Sequence, residues 1–217
     1  MALNINGTTG ISGVDGSVSA PALTGTDSNT GITFPSADTI KFATGGVERM
    51  SITNSGVSGI TAGITMADSW IVTSSYDTSG TATIANNWAR TTTISGTGVI
   101  GSAMTESSGV FTFPSTGIYL VSVQIYFLTA GARTYAGILH DFSTDSGSNY
   151  SQILTAYGNG YTTSAYITHQ SFQVYDITNT STNRIRFRTE VSGQVSVQGN
   201  SGQKRTGAMF IRLGDTY

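Results

Sequence analysis

The sequence predicts an all-β protein, and three observations carry that expectation. Apolar residues recur on alternate positions, most plainly in FTFPSTGIYLVSVQIYF (residues 111–127). No ten-residue window places apolar residues at i, i+3, i+4 and i+7 free of Gly and β-branched clusters. Turn residues punctuate the whole chain: 27 glycines and dense Ser, Thr, Asn and Asp set against 3 prolines.

Composition narrows the class further. Charged residues make up 10% of the 217, well under the quarter or so usual in soluble domains. The net charge of −2 speaks against a nucleic-acid binder, which would carry a basic patch. There are no cysteines, so a disulfide framework and a thiolate metal site are excluded. No stretch approaches the ~20 consecutive apolar residues of a membrane span, and no membrane insertion is expected. The opening MALNINGTTG lacks a basic segment and an apolar run, so no secretory signal is expected there.

Two regions follow one another. Residues 1–63 read as an N-terminal fibrous or attachment segment with short strands at 3–6, 31–34, 39–43 and 48–53, the last after the Gly45-Gly46 turn. Their core-type side chains are too few to offset a chain entropy of about 1–2 kcal/mol per ordered residue. The segment is expected to fold only where several chains share one core. TGISGVDG (9–16) weakly echoes SGVSGITAG (55–63), as a fibrous element would. A disordered Gly/Ser linker is the alternative, against which ITFPSADTIKFATGGVERMSI (32–52) is well patterned.

Residues 64–217 read as a knob. Strands are predicted at 68–74, 81–85, 110–114, 118–128, 134–141, 151–157, 165–177, 184–191 and 207–213. Some nine antiparallel strands imply a sandwich or jelly roll. Within 118–128, Tyr119, Val121, Val123, Ile125 and Phe127 form a core face. Ile118, Leu120, Ser122, Gln124 and Tyr126 form the other, too apolar for open solvent and too polar for a core. A subunit interface explains that mixture, with Ile118, Leu120, Gln124 and Tyr126 as its candidate residues. In 184–191, Ile185, Phe187, Thr189 and Val191 alternate with Arg184, Arg186, Arg188 and Glu190.

At this point a family resemblance enters. SSGVFTFPSTGIYLVSVQIYF (107–127) resembles the signature block of the C1q/TNF-like jelly roll: an aromatic pair, a Pro-containing turn, then Gly-hydrophobic-Tyr opening the next strand. AYITHQSFQVYDITNTSTNRIRFRTE (165–190) and GAMFIRL (207–213) resemble its later strands. PALTGTDSNTGITFPSADTIKFATGGVERMSITNSG (21–56) is similar to a segment of tail-fibre and other virion proteins of marine, especially cyanobacterial, phages. MTESSGVFTFPSTGIYL (104–120) resembles the C1q-like ends of those proteins. Together the resemblances imply a homotrimeric virion fibre protein, made in the host cytoplasm and placed on the tail or capsid. Its N-terminal segment would meet other virion proteins and its knob the host surface. The alternative is a head or tail decoration protein whose knob only trimerises and caps. The collagen repeat and the acidic calcium cluster of the mammalian pattern are missing, so neither C1q partners nor calcium dependence is carried over.

GTGVIG (96–101) matches a dinucleotide fingerprint, but turn and strand follow it where a helix is required. His140 and His169 lie apart and read as polar sheet positions; His140 and Asp141 are strand neighbours facing opposite ways. No G-x-S-x-G elbow occurs and the 12 acids are scattered. No enzyme activity, metal or cofactor is expected. DFSTDSGSN (141–149) has oxygen side chains in calcium-loop order but no closing Glu, and reads as a hairpin loop. Sequons begin at Asn6, Asn149 and Asn179; in a bacterial cytoplasm they stay unmodified. The arginine stripe fits an anionic glycan, an exposed strand face or a polar layer between subunits.

If both ends of the knob lie together, alternate loops project away from them: 129–134, 158–164, 192–206 and a turn at 76–80. These supply the candidate receptor contacts Arg133, Asn159, Tyr161, Gln198, Asn200, Gln203, Lys204 and Arg205, with Tyr135 and Tyr157 at strand ends. Aromatic faces with amide and guanidinium donors suit a host surface glycan.

Overall fold

The computed structural model describes residues 4–6, 10–12, 15–59, 63–91, 98–160 and 164–216. The chain divides into two compact units, Met1–Ala62 and Gly63–Tyr217. Both are built of β-strands.

In the first unit, β1 (Asn4–Asn6) pairs with β2 (Gly10–Ser12), and β3 (Gly16–Ser17) with β4 (Ala20–Pro21). A five-stranded antiparallel meander follows: β5 (Leu23–Thr24), β6 (Gly31–Thr33), β7 (Ile40–Thr44), β8 (Val47–Thr53) and β9 (Gly56–Ser58). The turn between β7 and β8 needs two residues at positive φ, and Gly45 and Gly46 supply them at 59° and 74°. Register aligns Leu23, Ile32, Phe42 and Met50 across four strands, and Ile40, Ile52 and Val57 across three. Strand periodicity puts all seven on one face. Leu23, Ile40, Ile52 and Val57 are exposed there. Of residues 15–59 only Pro21, Thr33, Ala43 and Ser51 are buried; alternation puts the last three on the opposite face, and none of the seven is buried.

The second unit has two layers. Its front sheet runs β12 (Trp88–Arg90), β10 (Met66–Val72), β20 (Gly207–Gly214), β15 (Gly117–Thr129), β18 (Tyr166–Ile177). Its back sheet centres on β19 (Arg184–Asn200). One edge of β19 takes β11 (Ser74–Thr83) and β14 (Val110–Thr112), the latter also paired to β13 (Thr105–Ser107). The other edge takes β16 (Arg133–Ser143), which pairs on to β17 (Ser151–Gly160). The far end of β15 also pairs with β19, at Phe127↔Val197, and closes one corner. This is a jelly roll of antiparallel strands.

The core explains the 107–127 block. Tyr119, Val121, Val123, Ile125 and Phe127 are all fully buried, as the alternation predicts. Phe111 sits among Trp70, Trp88, Phe187 and Phe210, with ring centroids 5.0–5.8 Å away. Phe113 meets Tyr119 edge-on at 4.9 Å, and the Tyr119 hydroxyl donates back to the Ser115 carbonyl at 3.0 Å. Gly117 has φ 139°, and a Cβ there would lie 2.5 Å from the Gly214 carbonyl oxygen, so glycine is required.

Two loop expectations are corrected. Residues 192–206 are mostly strand, because β19 continues to Asn200, held along one edge by β11 while β15 takes over from β16 on the other. The expected turn at 76–80 lies inside β11, where Gly80 at φ 62° marks a register shift.

Candidate functional site

Strand register fixes which end of the jelly roll is which. Met66 opposes Arg212 and Ile118 opposes Gly214, so the unit's first and last strands meet at one end. β15 and β16 join at the opposite end, where Arg133 opposes Gly160 and Ser74 opposes Asn200. The 201–206 hairpin lies there too, before Gly207, which opposes Ile71 at the far end of β10.

The outward face of the front sheet splits between these ends. Near the shared end it is apolar. Leu120 opposes Val174 on β18 and Ile211 on β20; Ser122 opposes Phe172 and Met209. Phe172 is 66% exposed, Leu213 53% and Val174 50%. The interface candidates Ile118 and Leu120 belong to this half.

Gln124 and Tyr126 fall in the other half, which is polar. Together with Gln203, Lys204 and Arg205 they line a cleft of about 480 Å³, completed by Tyr166 and Thr168 of β18. Tyr126 and Tyr166 stack, with centroids 5.0 Å apart and planes 27° from parallel. The hairpin above them is pinned: the Gln124 amide donates to the Arg205 carbonyl at 2.8 Å, and Tyr126 N–H to Thr206 Oγ1 at 3.1 Å. With its amide oxygen towards Arg205, Gln203 accepts from Nε at 3.0 Å and Nη2 at 3.1 Å. Lys204 Nζ donates to the Ala208 carbonyl at 3.2 Å, and burial pushes its pKa down. The sequence suggested the hairpin cations; it gave no signal that β18 would bring Tyr166 to them, a pairing set by long-range register.

The remaining candidates lie elsewhere. Tyr135 and Tyr157 meet edge-on at 5.7 Å, and the Tyr157 hydroxyl donates to Glu190, which raises the phenol pKa to about 12. Arg133 spends its guanidinium on the Gln194 and Ala132 carbonyls. Asn159 is exposed on β17. Gln198 is buried inside β19 and donates to Ser196, so it is corrected from a surface contact to a structural residue. The Asn200 side chain caps the hairpin, accepting from Gly202 N–H at 2.7 Å. Tyr161 lies outside the described residues.

Other motifs resolve structurally. Asp141 is buried between two arginines: Oδ2 accepts from Arg186 Nε at 3.0 Å, and Oδ1 from Arg188 Nη2 at 2.8 Å. Arg186 also lies 3.9 Å above the Tyr150 ring. Arg186 and Arg188 are therefore ion-paired within one chain, and Arg184 donates to the Thr180, Ser181 and Asn183 carbonyls. A second such centre escaped sequence reasoning. Buried Asp68 accepts from Trp70 Nε1 at 2.9 Å, Arg90 Nε at 3.3 Å and Met104 N–H at 2.9 Å. His140 is a core residue, its nitrogens 3.0 Å from Tyr175 Oη and 2.9 Å from Ser171 Oγ. Burial pushes its pKa down to about 4. In the 141–149 loop, Asp145 accepts from Ser143, Asn149 N–H and the Asn149 amide, bonds that hold its pKa near 2. Among the described residues no three acids or histidines are grouped to hold a metal. Gly96 and Thr97 of GTGVIG lie outside the described residues; no helix follows at 98–104.

No family model and no curated protein matches the sequence. Solved structures do match the fold. Eiger TNF from S. frugiperda superposes with a TM-score of 0.57 at 16% identity, over 71% of this chain and 96% of that one. The knob has a TNF-like jelly-roll fold. Murine APRIL gives a TM-score of 0.49 at 14% identity, over 68% of this chain and 98% of that one. At these identities the TNF-like likeness is one of architecture alone.

Proposed function

We propose that this chain is the subunit of a homotrimeric phage virion fibre. Its N-terminal unit attaches to other virion proteins, and its TNF-like knob contacts the host cell surface. The observation that carries the self-association is the uncovered apolar half of the front sheet. Phe172, Val174, Met209 and Leu213 stand on one flat face beside Leu120. Fully burying such a side chain is worth about 1.5–3 kcal/mol, and contiguous apolar patches on soluble proteins mark interaction sites. The N-terminal sheet supports the same reading, since Leu23, Ile40, Ile52 and Val57 stand exposed on one of its faces. The virion assignment rests on the resemblance of residues 21–56 and 104–120 to phage fibre sequences.

Light scattering on the full chain tests the assembly. Three 22.6 kDa chains give about 68 kDa, and Phe172→Lys should shift the mass to a single chain. A wild-type monomer at micromolar concentration removes the proposal. Sedimentation with cell-envelope fractions from a panel of marine cyanobacteria tests the surface contact. A trimer that binds none of them is the decoration protein instead.

A further inference from the structure

We propose that the cleft under the 201–206 hairpin binds an anionic sugar, with a pyranose ring on Tyr166 and its acid group on Arg205. The inference rests on the surface-contact reading above and names the site and ligand class for it.

Charge gives the sign. Acids outnumber Lys and Arg by 12 to 10 in the chain, yet this cleft is lined by Lys204 and Arg205 and by no carboxylate. Gln203 engages two N–H groups of the Arg205 guanidinium and so fixes its plane. The three others of the fork remain to meet a carboxylate or sulfate, which guanidinium pairs bidentately. Lys204 adds charge at the floor, its ammonium held by the Ala208 carbonyl and Ser69 hydroxyl.

Shape gives the ring. Tyr166 is 61% exposed, so one face of the stacked pair is open, and Tyr126 behind it holds the ring in place. Such a platform covers the apolar C–H face of a pyranose, while Gln124, Gln203 and Thr168 offer partners for hydroxyls. About 480 Å³ lies within the range of small-ligand sites and leaves room for a short oligosaccharide. The hairpin is anchored to β15 by two hydrogen bonds before any ligand arrives, which lowers the ordering cost of binding.

The test is a ligand-observed NMR titration of the full chain with trigalacturonate, a sulfated chondroitin disaccharide and neutral maltotriose. We expect an acidic sugar to bind with a dissociation constant near the millimolar range typical of a weak single site, and maltotriose at least tenfold more weakly. Arg205→Gln and Tyr166→Ala should each weaken acidic-sugar binding about tenfold with unchanged thermal unfolding. Trigalacturonate carries carboxylates alone and the chondroitin disaccharide a carboxylate and a sulfate, so tighter binding of the latter assigns a preference for sulfate. Equal binding of acidic and neutral sugars, no binding of either acid, or full binding by Arg205→Gln overturns the site. Envelope sedimentation of the same variants separates the two proposals. Retained binding by both variants rejects this cleft and keeps the surface contact. Trigalacturonate binding by a wild type that sediments with no envelope keeps the cleft and rejects the surface contact.

Discussion

The N-terminal meander and the knob are written in the same alternating code and reach different ends. In the knob, alternation on β15 faces alternation on β19, and Phe111, Phe187 and Phe210 close the space between two layers. In the meander, Leu23, Ile32, Phe42 and Met50 align as well across their strands, yet among the described residues Leu23 is exposed and the other three are only half-buried. Period-two patterning specifies a sheet with one apolar face; it does not supply what covers that face. A domain large enough to fold its own second layer is self-sufficient, and a single layer depends on neighbours.

The largest expected effect sharpens this contrast. Phe111→Ala empties the centre of the knob's aromatic cluster and should cost about 3–5 kcal/mol in denaturant unfolding. Phe42→Ala is its counterpart in the single layer. If copies share that face, the loss should approach 3 kcal/mol and vary with protein concentration. A concentration-independent loss under about 1 kcal/mol would leave the meander an open sheet.

Ion pairs offer the second contrast. Asp141→Ala leaves Arg186 and Arg188 without their shared buried partner and should destabilise the knob by about 3 kcal/mol. Glu48→Gln removes the Lys41 pair on the meander, where both side chains are about one-third exposed. That change should be barely detectable by the same unfolding measurement, because water screens an exposed pair. A reversal of this order would show the Lys41–Glu48 pair to be the more deeply buried in the assembled protein.

The third contrast depends on pH. His140 has a folded pKa of about 4 against an ordinary value near 6.5. Above pH 6.5 both states are neutral and nothing is lost. As pH falls from 6.5 towards 4 the unfolded chain takes up a proton that the folded knob refuses. Stability therefore declines across that window, by an amount on the order of 3 kcal/mol at its lower end. The meander has no histidine and should not share the decline. Unfolding of His140→Gln across pH 4–7 checks this, since the variant should lose most of the slope.

Much of the fold was legible because the strongest strands are locally patterned. The core face of β15 and the buried pair Phe111 and Phe113 follow from alternation alone. Strands with few apolar residues were harder. SGQVSVQGN (192–200) read as a loop because Gly193 and polar neighbours interrupt the run, although Val191, Val195 and Val197 hold the same phase and are buried. β11 was legible only at its end, since SSYDTSG is polar and its strand character comes from pairing with β19. The site was less legible still. Lys204 and Arg205 were visible as hairpin cations. Their meeting with Tyr126 and Tyr166, and the meeting of Asp141 with Arg186, depend on contacts 38 or more residues apart in the chain.

The placement of β10 and β20 has a mechanical consequence. The two strands are antiparallel, so Met66 begins one at the shared end while Gly207 begins the other at the hairpin end. A pull applied between Met66 and the 201–206 hairpin runs along the strands and across their ladder bonds. Those bonds then bear the load together, in shear, instead of parting one by one as when a hairpin is peeled from its tip. β10 is held on its other edge by β12 as well. Tension on this axis loads that ladder as a whole, and resistance to force is governed by how slowly the structure opens.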